Sequence, residues 1–520
     1  MLLTSYLAIL VSILPSISVT NSFQLPLQFP FFQSALKSDS VAHRVAIIGA
    51  GAGGSSAAYW LSRAADRHPE IVNLQVDVFE KESYVGGRST IVHPHNSNVY
   101  DGVELGASLF VPTNKNLHRA VKEFNLSLIS FEDENGEMGI WDGKSFRFRI
   151  TQRNGSYSWW DMLRMLFRYG LTTSKNAQAL VDQAMNSFLN VYDTAFPEWT
   201  TVSDLASSLN LTDLTGQTIG TYMIEKGISK IYIDEIVEGN RLRRLIMCSI
   251  LESLSPACTR VNYAHNVTDI HAIEGLVSQA TNGAGGVQGG NYQIFQEFLT
   301  RSSATTYLKI AVTHLVRKEN TWVLTTSSGE SRVYDSVILA TPYHHSGISI
   351  TPLIESIPQQ TYVHLYVTLL ATGLPNPRPE YFSLDPNALS PSTILTTNVN
   401  FREGGIPPEF VSLTYHGHVK GQDGRPDEYI VKIFSLQPIK NEFLRKWDAY
   451  PLLPSNVTYA PVVPAEGLYY VNSFEPFIST METETVSKSD FLGKSVADVR
   501  LRFLHRTWPA YCSRNYMAQV

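Results

Sequence analysis

The chain has 520 residues, of which 43% are apolar, 17% charged and 11% aromatic, and its formal net charge is −6. That length suits two or more packed units, and the apolar share excludes a disordered chain or a coiled coil. An acidic balance without a basic stripe gives no footing for a nucleic-acid partner. Charged residues fall below the usual share of about 25%, so the surface is expected to be polar but weakly charged.

The first element is an apolar run, residues 2–19, broken by Pro15 and ending in the small residues Ser18, Val19 and Thr20. It is read as a signal peptide, 1–20; the proline and the short apolar core favour cleavage over a signal anchor. Residues 21–40, rich in Pro, Phe and Gln, are a linker. Five Asn-x-Ser/Thr tripeptides, at Asn125, Asn154, Asn210, Asn266 and Asn456, are glycosylation acceptors only inside the secretory pathway. Together they predict a secreted, vacuolar or lysosome-like protein. Cys248, Cys258 and Cys512 make neither a disulfide framework nor a metal spacing, and no metal site is expected.

Order begins near residue 41. A β-branched run at 43–48, a glycine turn, a helical stretch at 55–65 and an alternating strand at 74–80 make a βαβ unit. The fold class is therefore α/β, a Rossmann-like doubly wound nucleotide domain interleaved with an α+β substrate domain. Residues 158–193 read as helical. Strands at 307–316, 321–326 and 331–339 form a meander feeding back to the first sheet, and further strands fall at 362–370, 411–415 and 429–434. The expected layout is nucleotide binding in 41–110, 286–350 and 461–487. The substrate domain takes 111–285, mainly helical, and 351–460, mainly strands.

Gly49-Ala50-Gly51-Ala52-Gly53-Gly54 satisfies G-x-G-x-x-G between a strand and a helix. Gly49 turns the chain, Gly51 lets a pyrophosphate approach, and Gly54 lets helix and strand close up, with the helix N-terminus toward the anion. Glu80, followed by Lys81, ends the second strand where a carboxylate can accept ribose hydroxyls. Three later elements separate a flavin from a plain NAD domain, which does not need them. Gly86-Gly87-Arg88, the Asp101–Ala107 stretch containing Gly106 and Ala107, and Val312-Thr313-His314-Leu315 followed by Asp335–Pro342 resemble, in order, elements of the amine-oxidase-like flavoproteins. The resemblance implies FAD, with the paired glycines and Arg88 at the diphosphate and Val312 at the adenine.

A narrower resemblance rests on Arg260-Val261-Asn262-Tyr263, Gly289-Gly290-Asn291, Thr341-Pro342-Tyr343-His344, Leu468–Asn472 and Ser479-Thr480-Met481-Glu482. Over about residues 43–487 the chain resembles prenylcysteine oxidases, also called prenylcysteine lyases. This implies an FAD-dependent thioether oxidase cleaving S-farnesyl- or S-geranylgeranyl-cysteine, with O2 and water, to cysteine, the isoprenoid aldehyde and hydrogen peroxide. It places Thr480 and Met481 where a helix N-terminus meets the flavin, and it makes His344 the candidate polar group near the reacting water. An isoprenoid, worth about 0.8 kcal/mol per buried CH2, calls for an apolar, aromatic pocket. The alternatives are another flavin oxidase of the same fold and a non-catalytic FAD-containing protein that binds prenyl groups or lipids. Residues 159–168, with Arg164 and Arg168 beside tryptophans, read either as a helix roofing the substrate domain or as a peripheral membrane contact.

Two stretches depart from the family. Residues 239–256, with Arg241, Arg243 and Arg244, interrupt an otherwise matching run from Glu238 to Ala257 and are read as an unspliced intron carried in frame, the alternative being a genuine surface insertion. From Lys488 onward the resemblance is expected to be lost.

Overall fold

A computed structural model describes residues 42–67, 73–130, 136–153, 156–193, 195–197, 199–239, 259–421, 426–439 and 445–485. The expected signal peptide, the linker, residues 240–256 of the suspected insertion, the tail from 488, Asn154 and all three cysteines lie outside them. Among the described residues no helix is long and apolar enough to cross a membrane, and no group of three or more His, Cys, Asp or Glu could hold a metal.

Five parallel strands make the first sheet. They are β1 (His43–Ile48), β2 (Leu74–Glu80), β3 (Thr305–Leu308), β4 (Ser336–Leu339) and β5 (Leu468–Tyr470), in the order β3-β2-β1-β4-β5. A strand covered on both faces must be apolar on both, and Val45 to Ile48 of β1 are all buried. Val45 and Ile47 pack with Ala57, Ala58 and Leu61 of helix α1 (Ala52–Arg67) and with Leu299 of α2 (Tyr292–Arg301). Ala46 and Ile48 face the other way, toward Leu315, Trp322 and Leu324. Those residues belong to a four-stranded sheet ordered Ser331–Tyr334, Thr321–Thr326, Val312–Lys318, Ser349–Thr351.

The expected meander is corrected here. Residues 307–316 are not one strand: β3 ends at Leu308, Lys309 takes φ +61°, and the chain re-enters strand at Val312 in the other sheet. The Lys309 and Ile310 amides donate to the Glu82 and Glu80 carbonyls. Residues 331–339 divide likewise at Asp335, whose N–H donates to the Arg44 carbonyl while its Oδ2 accepts the Arg44 N–H at 2.7 Å. Apolar alternation reports a strand but not the sheet it joins.

An eight-stranded sheet forms the other layer. Its order is Arg445–Pro451, Tyr362–Thr372, Glu428–Ser435, Ser412–Val419, Thr393–Thr396, Gly136–Trp141, Phe146–Arg153, Ser156–Tyr157. Residues 111–285, expected to be mainly helical, thus contribute three of its strands. Ile140, Phe148 and Ile150 pack beneath it with Met165, Tyr169 and Val181 from the helices. The helical stretch at 158–193 is broken at Gly170, φ +76°, into Trp159–Tyr169 and Leu171–Leu189.

Candidate cofactor and active site

At the carboxyl end of β1 the chain is pinned between its neighbours. Gly49 N–H donates to the Phe79 carbonyl and Ala340 N–H to the Ile48 carbonyl, both at 2.8 Å. Gly49 has φ +105°, and a Cβ there would lie 2.4 Å from the Ala340 oxygen; one on Gly54 would lie 1.6 Å from the Gly49 oxygen. Gly51 differs, since the nearest atom to its ideal Cβ is the Gly87 Cα at 3.8 Å. The space beside Gly51 is therefore not filled by protein. Gly86 N–H donates to the Ala50 carbonyl at 3.0 Å, which sets the two glycine turns side by side. Gly53 and Gly54 open α1, whose first amides have no intrahelical acceptor and favour an anion.

Glu80, buried at the end of β2, ties this turn to the sheet: Oε2 accepts the Ala50 N–H and Oε1 the Glu82 N–H, both at 2.8 Å. Each carboxylate oxygen keeps a second lone pair for a ribose hydroxyl. Lys81 beside it is exposed, and Val312 is buried in a cluster with Phe79 and Leu339.

Gly106 and Ala107, the latter at φ +50°, end the Val103–Gly106 strand. Asn291 secures them: its Nδ2 donates to the Ala107 carbonyl at 2.9 Å and its N–H to Glu104 Oε1 at 2.6 Å. Burial raises Glu104 to about 7, against the Asn291 N–H and the nearby Lys432 ammonium. Its Oε2 is buried without a hydrogen-bond partner.

Arg88 reaches across to the other layer. Its Nη1 donates to the Ala449 carbonyl at 2.8 Å and its Nη2 pairs with Glu475, which also accepts the Tyr362 hydroxyl. Burial opposes the Arg88 charge, but the Glu475 carboxylate outweighs it and raises the guanidinium's pKa. Burial and then Glu475 also push Tyr362 up, so it stays a donor. The sequence offered Arg88 to a diphosphate; two of its three nitrogens are committed to Ala449 and Glu475. Sequence reasoning missed Glu475 and Tyr362, since no local spacing links residues drawn together from three distant segments. It also missed the part played by Asn472, two residues past the end of β5, whose Oδ1 is buried and unpartnered.

Thr480 and Thr483 cap the start of a short helix, Thr480 N–H donating to Thr483 Oγ1 at 3.2 Å and Thr483 N–H to Thr480 Oγ1 at 3.1 Å. Met481 packs against the Tyr59, Phe110 and Phe295 cluster. The segment is held from behind by Glu274, fully buried, which accepts the Ser479 N–H on both oxygens at 3.2 Å. Burial raises Glu274 to about 8, although Tyr263 and the Ser479 N–H favour its charge. His271, one turn earlier, is lowered to about 4 by burial and is neutral, its Nε2 on the Pro476 carbonyl at 3.1 Å.

His344 is exposed in the Tyr343–Ser346 turn, with Nε2 on the Ile357 carbonyl at 2.8 Å. Its neighbour His345 faces the layer junction instead. The His345 ring lies 4.7 Å from that of Tyr362, and its Nδ1 meets Asp448 at 2.9 Å.

These residues suit a dinucleotide with a long polar linker. Gly51 leaves room where a Cβ would intrude, Glu80 offers ribose acceptors, and the buried oxygens of Glu104 and Asn472 lack protein donors. Comparison with known proteins points the same way. Residues 152–498 match the prenylcysteine lyase family and residues 47–124 an NAD(P)-binding Rossmann-like domain. The match thus runs past Lys488, further than the sequence resemblance suggested. A farnesylcysteine lyase of Arabidopsis thaliana is 28% identical over 469 residues, covering 85% of this chain and 86% of that one. A human prenylcysteine oxidase 1 is 26% identical over 483 residues, 85% and 87% covered. Among solved structures, a putrescine oxidase superposes with TM-score 0.51 at 15% identity, covering 88% of this chain and 99% of its own. A fatty acid isomerase from P. acnes gives 0.53 at 13%, covering 87% and 98%. At those identities the structural likeness carries the fold alone. Fold, site and family together make FAD the cofactor.

Proposed function

The chain belongs to the prenylcysteine lyase family, and from that premise we propose that it is an FAD-dependent thioether oxidase acting on S-farnesyl- or S-geranylgeranyl-cysteine. The products are cysteine, the isoprenoid aldehyde and, from O2, hydrogen peroxide, with one water consumed. The observation that carries this reading is where the family match falls. It spans residues 152–498, including six of the eight strands of the substrate-side sheet, and not merely the nucleotide turn that many oxidoreductases share.

FAD when bound supplies a hydride acceptor for C1 of the prenyl chain, where sulfur and the allylic double bond both stabilise the cation. The protein's own work is placement. Gly51 and Gly87 receive the diphosphate, Glu80 orients the adenosine ribose, and the Arg88–Glu475–Tyr362 cluster ties the nucleotide domain to the substrate-side sheet at Ala449. Beside that tie the buried ring of Tyr263 and the half-buried ring of Tyr450 meet at 5.4 Å, an aromatic surround suited to a hydrocarbon.

A secretory location, lysosome- or vacuole-like or extracellular, belongs to the same reading. Asn125, Asn210 and Asn456 are exposed at left-handed loop positions, which supports glycans there, although Asn456 Nδ2 donates to the Gly216 carbonyl at 3.3 Å. Asn266 is a poorer acceptor, its amide engaged by Arg260, Asn398 and Asp269. A substrate with a long prenyl chain partitions into membranes, so peripheral membrane contact completes the proposal.

The test is an anaerobic spectrum before and after adding S-farnesylcysteine. Bleaching of the oxidised flavin band, with peroxide and free cysteine on admitting air, is expected. A flavin that stays oxidised removes this substrate; release of ammonia from an amine would make the chain an amine oxidase.

A further inference from the structure

The helix Trp159–Tyr169 is amphipathic in the reverse of the usual sense. At about 100° per residue, Trp159, Trp160, Leu163, Leu166 and Phe167 occupy one arc of roughly 120°, and that arc faces solvent. Phe167 is 85% exposed, Trp160 59% and Trp159 55%, and the two indoles lie against each other at 4.0 Å. The opposite arc is anchored. Asp161 is buried and accepts the Thr151 N–H at 3.3 Å, Met165 and Tyr169 enter the core, and Arg168 makes a paired contact with Glu235 at 2.7 and 2.6 Å. The helix cannot roll to hide its aromatic face without breaking these contacts.

Isolated exposed apolar residues need no explanation, but a contiguous aromatic stripe does. Charge indicates the occupant. Between Trp159 and Val181 the only acidic residue is Asp161, which is buried and lies 3.5 Å from Arg164 Nη1; Arg164 itself is 74% exposed at the edge of the stripe, and Lys175 on the next helix is exposed, with Asp182 the next acid along. A chain of net charge −6 thus carries exposed basic side chains, and no exposed acidic one, over the stretch that holds this aromatic stripe. Tryptophan beside arginine suits the water–hydrocarbon boundary, and the positive rim suits anionic headgroups.

We propose that this helix docks the protein on an anionic lipid bilayer, with Trp159, Trp160 and Phe167 entering the boundary and Arg164 and Lys175 on the headgroups. It rests on the reading above, in which the substrate is delivered by a membrane. The experiment floats the full-length FAD-loaded protein with phosphatidylcholine vesicles, with and without phosphatidylserine. Phosphatidylserine should strengthen binding, and the W160S/F167S double variant, altered only at exposed positions, should bind about tenfold or more weakly. Turnover of soluble S-farnesylcysteine without vesicles should not change in that variant; its absence from the wild type would count against the substrate assignment and not against the surface. Equal flotation of variant and wild type would overturn the proposal. So would a wild-type protein that ignores vesicles but forms a dimer which the variant abolishes, making the stripe a contact between copies.

Discussion

The turn at Gly49–Gly54 and the cluster around Glu475 both border the cofactor region, yet they are assembled over opposite distances along the chain. In the turn, a strand end, six residues and a helix start set most of the geometry, with long contacts to Phe79, Glu80, Gly86 and Ala340. The cluster joins Arg88, Tyr362, Ala449 and Glu475, which meet only once both sheets are in place. A local device should fail by steric clash at one atom, a distributed one by stranding a half-buried charge and a buried hydroxyl.

The sharpest way to break that contrast is within the turn itself. Gly54→Ala puts a methyl carbon 1.6 Å from the Gly49 carbonyl oxygen, which belongs to the backbone and cannot move aside. We expect a loss of about 4 kcal/mol or more and no retained flavin, read by denaturation and absorbance. Gly51→Ala makes only an ordinary contact within the protein, with the Gly87 Cα at 3.8 Å, so the apoprotein should melt as the wild type does. Its FAD affinity should fall about tenfold or more, since the methyl takes room meant for the ligand. Equal damage from both variants would show that Gly51 is structural too.

Next comes the cluster. Glu475→Ala leaves the Tyr362 hydroxyl without its acceptor and Arg88 without its counter-charge; because Arg88 is about one third exposed, the cost should be about 3 kcal/mol, below that of a fully buried pair. Tyr362→Phe removes one hydrogen bond to a charged group and should cost about 1.5–3 kcal/mol. Urea titrations measure both. If Glu475→Ala were nearly neutral, the tie between the sheets would have to lie elsewhere.

What the sequence disclosed follows the same division. Gly49, Gly51, Gly54, Glu80, Gly86 and Gly87 were legible because strand, glycine turn, helix and second strand follow one another in one short pattern, even though the oxygen that excludes a Cβ from Gly49 is that of distant Ala340. Glu475 and Tyr362 were illegible because nothing near them in the chain differs from an ordinary core glutamate and tyrosine. His344 shows the same limit at one-residue scale. The turn after β4 was recognisable, but which of two adjacent histidines faces the junction depends on Asp448 and Tyr362, a hundred residues and fewer than twenty away respectively, and His345 is the one that does. The split strands at Lys309 and Asp335 belong here as well, because strand propensity carries no sheet label.

Glu274 tests the distributed region through pH. Its folded pKa, about 8, lies above the ordinary carboxylate value of 4.5 because burial favours the neutral acid. From pH about 4.5 to about 8 the unfolded chain releases this proton while the folded one retains it, so stability falls as pH rises through that window and levels off above it. Glu274→Gln removes the titration while its carbonyl can still accept the Ser479 N–H. Relative to wild type, the variant's melting temperature should therefore climb across the window, by the equivalent of a few kcal/mol at most. A difference independent of pH would mean that Glu274 titrates as an ordinary carboxylate.

The smallest effect should come from the largest change, deletion of residues 239–256. In the shortened chain Ala257 follows Glu238, and Arg260 becomes the fourth residue after it. The Arg260 N–H already donates to the Glu238 carbonyl, at 3.5 Å, which is the pairing an α-helix makes between residues four apart. Helical turns flank it on both sides, at Ile233–Val237 and Thr259–Tyr263. Each flank is also anchored independently of the removed residues: the Glu238 carboxylate accepts Arg402 Nη1 at 2.9 Å, and Arg260 donates to Thr396 Oγ1 at 3.2 Å and Asn266 Oδ1 at 2.8 Å. Deletion would thus leave one continuous helix, as expected if the segment is an unspliced intron. The Ala257 methyl would replace the hydrogen of Gly239, where a Cβ meets Ile140 Cγ2 at 2.9 Å and Thr397 Cβ at 3.1 Å. That crowding should cost no more than about 1–3 kcal/mol. Both chains should bind FAD equally and melt within several degrees of each other. A shortened chain that cannot fold, or cDNA that always retains the segment, would make these eighteen residues part of the protein and the helical pairing across them a coincidence.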